Sequence, residues 1–592
     1  MGVLTAIAEP RHESSELAAV ARSVPSAVLE QARRLGDREY LRFHQAGEWQ
    51  SLTWKEFAER SLRVAEGLVG SGLQPGDRVA LLSENRVEWL LCDLGIQAAG
   101  CVTVPIYPSS QPRVVRYIVN DSGARMLIAS SRALGMKLEP PTTAEVVLID
   151  DGVASWQVGS DPLRRAEVER RQQAIQREDF ATIVYTSGTT GDPKGVILLH
   201  RNLLAAAEGA LGVFDIGPED TLLSFLPFSH VLERVDGIFT EACAGCTIAL
   251  ARSIDSLMED VATIRPTVML GVPRVFDKVF EGVTDLVGKQ PAWKRAIFRW
   301  ALGVGVRRLD PKAGAGTRAQ GWVADRLVLT DLRQRLTGGR LRFFISGGAP
   351  LNERVEEFFW ALGVQILQGW GMTETTSGVT TNSESHHRYR TVGLPLPHVE
   401  LQIATDGEIL VRGPVTTIGY LDRPDATAEL LNAEGWLSTG DIGFLDADGF
   451  LTITDRKKDL IKTAGGKYIA PLPIEARLES DRMVKAAMVV GDGRPYAIAL
   501  IVPDWAAIGV QLGILAEPAT LREDERVRTL IQRIVDESNH ELAGFETIKR
   551  FALLLNDFSE EADELTPTLK PKRRSIAAHH AAEIDAVYAA PR

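Results

Sequence analysis

Between residues 76 and 370 short apolar runs rich in β-branched residues alternate with longer amphipathic stretches. "DRVALLS", "CVTVPIY", "RMLIAS", "ATIVY", "TLLSFLP", "TIALA", "TVMLGV" and "LRFFIS" predict strands, whereas "RVEWLLCDLGIQAAG", "QPRVVRYIVND", "VLERVDGIFTEACAG" and "NERVEEFFWALG" predict helices. Strand and helix in alternation imply largely parallel sheets covered on both faces. From 399 to 455 the pattern changes to brief strands with D-G turns, "IATDGEILVRG" and "FLDADGFLTITD", which predicts an antiparallel or barrel-like unit. Beyond "DRKKDLIK" a helix "PIEARLES", a hairpin "AAMVVGDGRPYAIALIVPD" and a long helix "DERVRTLIQRIVDESNHEL" describe a compact α+β unit. The expected fold class is α/β: a large N-terminal domain over 1–457, with parallel sheets and a β-barrel-like subdomain, and a smaller C-terminal domain over 458–592.

At 592 residues the chain is too long for a single core. With 45% apolar and 24% charged residues it has the composition of a soluble globular protein, and no run of 18 apolar residues predicts a membrane span. The N-terminus carries no signal-peptide pattern, so a cytoplasmic location is expected. Four cysteines argue against a disulfide framework, and the C-x-x-C of Cys243 and Cys246 is read as two buried small residues. A net charge of −12 gives no reason to expect nucleic-acid binding.

One stretch concentrates candidate chemistry. "YTSGTTGDPKGV" at 185–196 stands between two apolar runs and holds four hydroxyls, three glycines and a lysine. It is not a Walker loop: five residues after Gly188 comes Pro193, five after Gly191 comes Val196, and Lys194 is followed by Gly195. Gly188 and Gly191 let backbone N–H groups turn inward, and Thr186, Ser187, Thr189 and Thr190 offer donors to phosphate oxygens or a metal. The composition points to a polyphosphate cradle held on a strand-loop-strand frame.

Downstream follow "GGAPL" (347–351), "QGWGMTE" (368–374), "GWLSTGD" (435–441), "DRKKDLIKTAGGKYIAP" (455–471) and "ELTPTLKPKRR" (564–574). In this order the motifs resemble those of the acyl-adenylate-forming superfamily, and with "LPFSHVLER" and "VPRVFDK" they are most similar to long-chain fatty acyl-CoA synthetases. The resemblance covers about residues 30–580. It implies that a carboxylate attacks ATP to give acyl-AMP and pyrophosphate, after which coenzyme A takes the acyl group and AMP leaves. The rival readings are ligation of a medium-chain or aryl acid, transfer to a carrier-protein phosphopantetheine, and a non-catalytic acyl or nucleotide binder.

Under this resemblance the 186–194 loop, including Gly191 and Lys194, holds the β- and γ-phosphates, and Glu374, beside Thr373, ligates Mg2+ with Thr186 as a second oxygen ligand. Trp370 and Gly371 face the adenine, with Gly348, Ala349 and Pro350 as the opposite wall. Asp441 accepts the ribose hydroxyls, and Arg456 donates to ribose or α-phosphate. Lys570 matches the family's essential lysine, although Leu569 replaces the usual glycine and Lys572 lies two residues on. His230 matches a position near the acyl carbonyl. Lys458 occupies the hinge position of a small domain that rotates between half-reactions, and Gly465 and Gly466 then border the coenzyme A channel.

Residues 289–342 hold 13 Lys and Arg against 3 Asp. Within them Trp293, Ile297, Trp300 and Val304 form a helical stripe among Lys294, Arg295, Arg299, Arg307 and Arg308. The favoured expectation is a stripe packed inward; the second is peripheral contact of the 291–309 helix with an inner membrane surface.

Overall fold

The alternation folds as two parallel-centred sheets. In the computed structural model, strands Glu145–Leu148, Met126–Ala129, Arg78–Leu82, Val102–Ile106 and Phe180–Thr186 lie in that order and run parallel, with Lys194–Leu199 added antiparallel at the edge. A nine-stranded sheet has Gln365–Met372, Phe343–Ser346, Val268–Gly271, Thr221–Ser224, Thr247–Leu250 and Glu39–Gln45 parallel, and antiparallel strands at both edges. The hairpin Glu39–Thr53 that ends this sheet comes from far upstream of the alternating region. The structure describes residues 4–5, 15–138, 142–186, 192–310, 312–514, 516–540, 542–559, 561–566 and 571–589.

Helix Val87–Ala98 shares one apolar core with strands of both sheets, which is why its sequence is apolar all round and nearly every residue is buried. Its one buried charge, Asp93, is held bidentately by Arg234 at 2.6 and 2.9 Å. Arg234 also donates to Thr182 Oγ1 at 2.7 Å. A buried guanidinium is tolerated only when its donors are met in this way. The pair fixes the π-helix Leu232–Phe239, directly after His230, against the six-stranded sheet.

The D-G-turn region forms an antiparallel sheet of Glu400–Ile403, Glu408–Arg412, Leu437–Leu445 and Leu451–Arg456, with Leu4–Thr5 added at its edge. The smaller C-terminal unit is built on Val484–Val490, Ile498–Pro503 and Phe551–Leu553, covered by helices Pro471–Glu479 and Glu525–Asn539 around their own core. Cys243 and Cys246 are buried and unbridged. No helix among the described residues is long and apolar enough to cross a membrane.

The basic helix departs from the inward-packed expectation. In Ala292–Arg308 only Ala301, Val304 and Gly305 are buried, while Trp293 and Trp300 are 62% and 39% exposed. Small residues explain the split: a Cβ on Gly305 would lie 2.2 Å from the Ala361 carbonyl oxygen, so the helix meets its neighbour at that end and its tryptophan-bearing turns stand clear.

Candidate functional site

One cavity of about 1630 Å3 is lined by the C-terminal ends of both parallel-centred sheets, the antiparallel sheet and the small unit. Thr186 and Lys194 face it from the last and first positions of their paired strands. Ser187, Gly188, Thr189, Thr190 and Gly191 lie outside the described residues. Segment 419–421 is tied to this hairpin: Leu421 N donates to Gly195 O at 2.8 Å and Ile197 N to Gly419 O at 3.1 Å. Tyr420 is thereby placed under the Lys194 ammonium, 5.1 Å from its ring centre.

Glu374 is buried at the cavity wall, and its Oε1 accepts from the Tyr420 hydroxyl at 2.8 Å. Burial and this neighbouring carboxylate raise the Tyr420 phenol well above its ordinary range, so it remains a donor. A costly backbone aims Glu374. After the turn Thr373–Thr375, Thr376 and Ser377 take φ of 59° and 90°, a left-handed region costing about 1–3 kcal/mol per residue. Side-chain bonds offset the cost: Thr376 Oγ1 donates to Val415 O at 2.6 Å and Ser377 Oγ to Asp236 Oδ2 at 2.6 Å. The returning chain passes so close to Gly371 that a Cβ there would stand 1.7 Å from Ser377 O, which accounts for the second glycine of "GWG".

Strand pairing brings Asp441 opposite Arg456, and Arg456 Nε donates to Asp441 Oδ1 at 2.9 Å. Trp370 Nε1 donates to Asp441 Oδ2 at 2.8 Å, so the indole is held by its edge and is only 8% exposed. Each carboxylate oxygen keeps a lone pair for a further donor. Gly347 to Pro350 follow strand Phe343–Ser346 and line the same cavity, as does His230. His230 Nδ1 accepts from Leu232 N at 3.2 Å, which leaves the ring proton on Nε2.

The small unit contributes to the wall. Asp455 accepts from Arg456 N at 2.6 Å and from Leu472 N at 3.4 Å, joining the antiparallel sheet to the first turn of helix Pro471–Glu479. Burial pushes its carboxyl up to about 7. Lys458 is drawn below its ordinary range by burial and by the Arg456 charge, with Asp459, Asp441 and Glu374 acting against the shift. Lys570 lies outside the described residues, but Thr566 and Pro571 on either side of that segment line the cavity. Arg573 is anchored by an ion pair to the buried Glu475 and by a 3.2 Å bond to Val489 O. Lys572 is engaged elsewhere, its Nζ 2.5 Å from Asp563 Oδ1. Gly465 and Gly466 form an exposed turn away from the cavity.

No described group of three or more His, Cys, Asp or Glu could by itself hold a metal ion. A single buried carboxylate, with Thr186 lining the same cavity, suits a hard cation carried in with phosphate groups. Tyr420 and Asp236 were not singled out by motif reading. "GYLDRPD" offered a polar aromatic in a turn, and "HVLERVDG" an acid in an apolar helix, but neither spacing discloses a partner.

Fold and site together define an adenylate-forming enzyme. The family model described as AMP-binding enzyme matches residues 28–421, and that of the AMP-binding enzyme C-terminal domain matches 458–592. The chain is 37% identical over 598 residues to the long-chain-fatty-acid–CoA ligase FadD15 of Mycobacterium bovis, covering 96% of this chain and 97% of that one. It is 32% identical to the peroxisomal long chain acyl-CoA synthetase 7 of Arabidopsis thaliana, over 92% and 82% of the two chains. Among solved structures, the o-succinylbenzoate coenzyme A synthetase of Bacillus subtilis in complex with AMP superposes with a TM-score of 0.69 at 22% identity, over 93% and 97% of the chains. A Mycobacterium tuberculosis fatty acyl CoA synthetase gives 0.63 at 22% identity, over 95% and 99%. The chain belongs to the AMP-binding enzyme family and is an AMP-forming acid–CoA ligase with ATP and coenzyme A as substrates.

Proposed function

We propose that the acid is a long-chain fatty acid and that activation and thioester formation share one cavity, completed by a small domain beginning at 458. The observation that carries this reading is the continuity of that cavity, from Thr186, Glu374 and Asp441, past His230, to the apolar Phe214 and Ile216. The phosphate end needs cations and directed donors, because a carboxylate must approach a polyanion. Lys194 and the 186–191 loop hold the β- and γ-phosphates. Glu374 and Thr186 hold Mg2+, which supplies charge neutralisation on the phosphates. Asp441 and Arg456 fix the ribose, and His230 lies beside the acyl carbonyl. Lys570 neutralises charge developing between carboxylate and α-phosphate. Rotation at Lys458 then withdraws it and brings Gly465 and Gly466 to the thiol's path. Acid-dependent pyrophosphate release, measured across chain lengths with and without coenzyme A, tests the reading. A maximum at long saturated or substituted chains is expected, and a maximum at aryl or short acids would contradict it.

We also propose peripheral contact with an anionic lipid surface. Trp293, Trp322 and Leu327 are each more than 60% exposed, on the helices Ala292–Arg308 and Ala315–Ala324 and the turn after them, among exposed Lys294, Arg295, Arg299, Arg318 and Arg326. Tryptophan beside cations suits the boundary between headgroups and acyl chains. The protein is expected to float with phosphatidylglycerol vesicles and to stay below with phosphatidylcholine alone, and W293S/W300S should weaken flotation. Equal recovery with both lipids would contradict the proposal.

A further inference from the structure

The helix after His230 presents a carboxyl to the cavity that the adenylation chemistry does not use. Asp236 is half-buried in the Leu232–Phe239 π-helix and lines the cavity with Ser377, Gly378 and Thr380. Its Oδ2 accepts from the Ser377 hydroxyl at 2.6 Å, and a side chain at Gly378 would begin 3.6 Å from the same atom. No charged group among the described residues pairs with it. A carboxyl without a cation is costly beside a cavity filled only by alkyl chain.

Strand register locates this polar patch along the cavity. Gly378 pairs with Gly371, and Ser377 lies three residues after Glu374, so the patch belongs to the adenylate end. Phe214 instead stacks on Phe343, at the opposite end of strand Phe343–Ser346 from Gly347. We propose that Asp236 is a specificity residue that selects a carboxylic acid carrying a hydroxyl group close to its carboxyl end, with the rest of the chain running toward Phe214 and Ile216. This rests on the acid-ligase reading and names its substrate class more closely.

A hydroxyl suits the site better than an amine. Burial holds the Asp236 carboxyl up to about 7, against the pull of the Ser377 and Gly378 bonds, so both protonation states are present near neutrality. A hydroxyl donates to the carboxylate and accepts from the acid, whereas an ammonium satisfies only the first.

The test compares pyrophosphate release from hexadecanoic acid and 3-hydroxyhexadecanoic acid, with ATP and Mg2+, for the wild type, D236N and D236V. The wild type should favour the hydroxy acid by about tenfold in kcat/KM, the worth of one otherwise unmet polar group. D236V should lose the preference, and D236N, whose amide both donates and accepts, should keep most of it. If D236V does not fold, the wild-type ratio and D236N decide. Equal rates for the two acids in the wild type, or preference for the plain acid, would overturn the proposal. So would a D236V that slows both acids alike with the preference intact, since Asp236 would then only brace Ser377. Pyrophosphate from neither acid would remove the long-chain reading and this proposal with it.

Discussion

Lys570→Ala is expected to slow acyl-adenylate formation by about 10^2- to 10^3-fold, while thioester formation from supplied acyl-AMP and coenzyme A stays within about twofold of wild type. The asymmetry follows from charge. In the first half-reaction an anion attacks a polyanion, and a lysine between carboxylate and α-phosphate is worth most at that moment. In the second the nucleophile is a thiol and the leaving group is AMP, which on the proposed reading Asp441 and Arg456 already hold. The structure sharpens the choice between two nearby lysines. Lys572 is held by Asp563 at 2.5 Å, and Thr566 and Pro571, on either side of the segment ending in Lys570, line the cavity. Lys572→Ala should therefore change adenylation by less than about threefold, the scale of an exposed pair. Quenched-flow measurement of the separate half-reactions checks both variants. Equal loss in both half-reactions for Lys570→Ala would remove the lysine from its role or the two half-reactions from their separate arrangements.

Glu374→Gln is expected to lower adenylation by about 10^2-fold with little change in melting temperature. The amide oxygen can still accept from the Tyr420 hydroxyl, so the packing of the 373–377 turn is kept while the charge is removed. A carboxylate that serves the metal should show its loss as a higher Mg2+ requirement, with partial recovery at raised Mg2+. Unchanged Mg2+ dependence would assign Glu374 to bracing the turn alone.

The parts of this account that were legible in the sequence are those carried by local pattern. Strand and helix periodicity placed the parallel-centred sheets, D-G turns placed the antiparallel sheet, and "QGWGMTE" and "TGD" placed Trp370, Glu374 and Asp441 as candidates. What escaped depends on contacts between distant segments. The Glu39–Thr53 hairpin joins the nine-stranded sheet beside Thr247–Leu250, about 200 residues later in the chain, and nothing in its own alternation names that partner. Tyr420 reaches Glu374 because its segment is bonded to Gly195 and Ile197, a pairing set by tertiary closure. The Trp293 stripe had helical spacing, but periodicity alone does not tell which turns of a helix find a neighbour. Close approach at Gly305 decided that, and left the tryptophans outside.

Exchange of labelled pyrophosphate into ATP, without coenzyme A, tests the two-step chemistry of the shared cavity most directly. Exchange that depends on added fatty acid, and that Lys570→Ala lowers by about 10^2- to 10^3-fold, is the predicted result. Exchange that needs coenzyme A, or that proceeds without any acid, would contradict it.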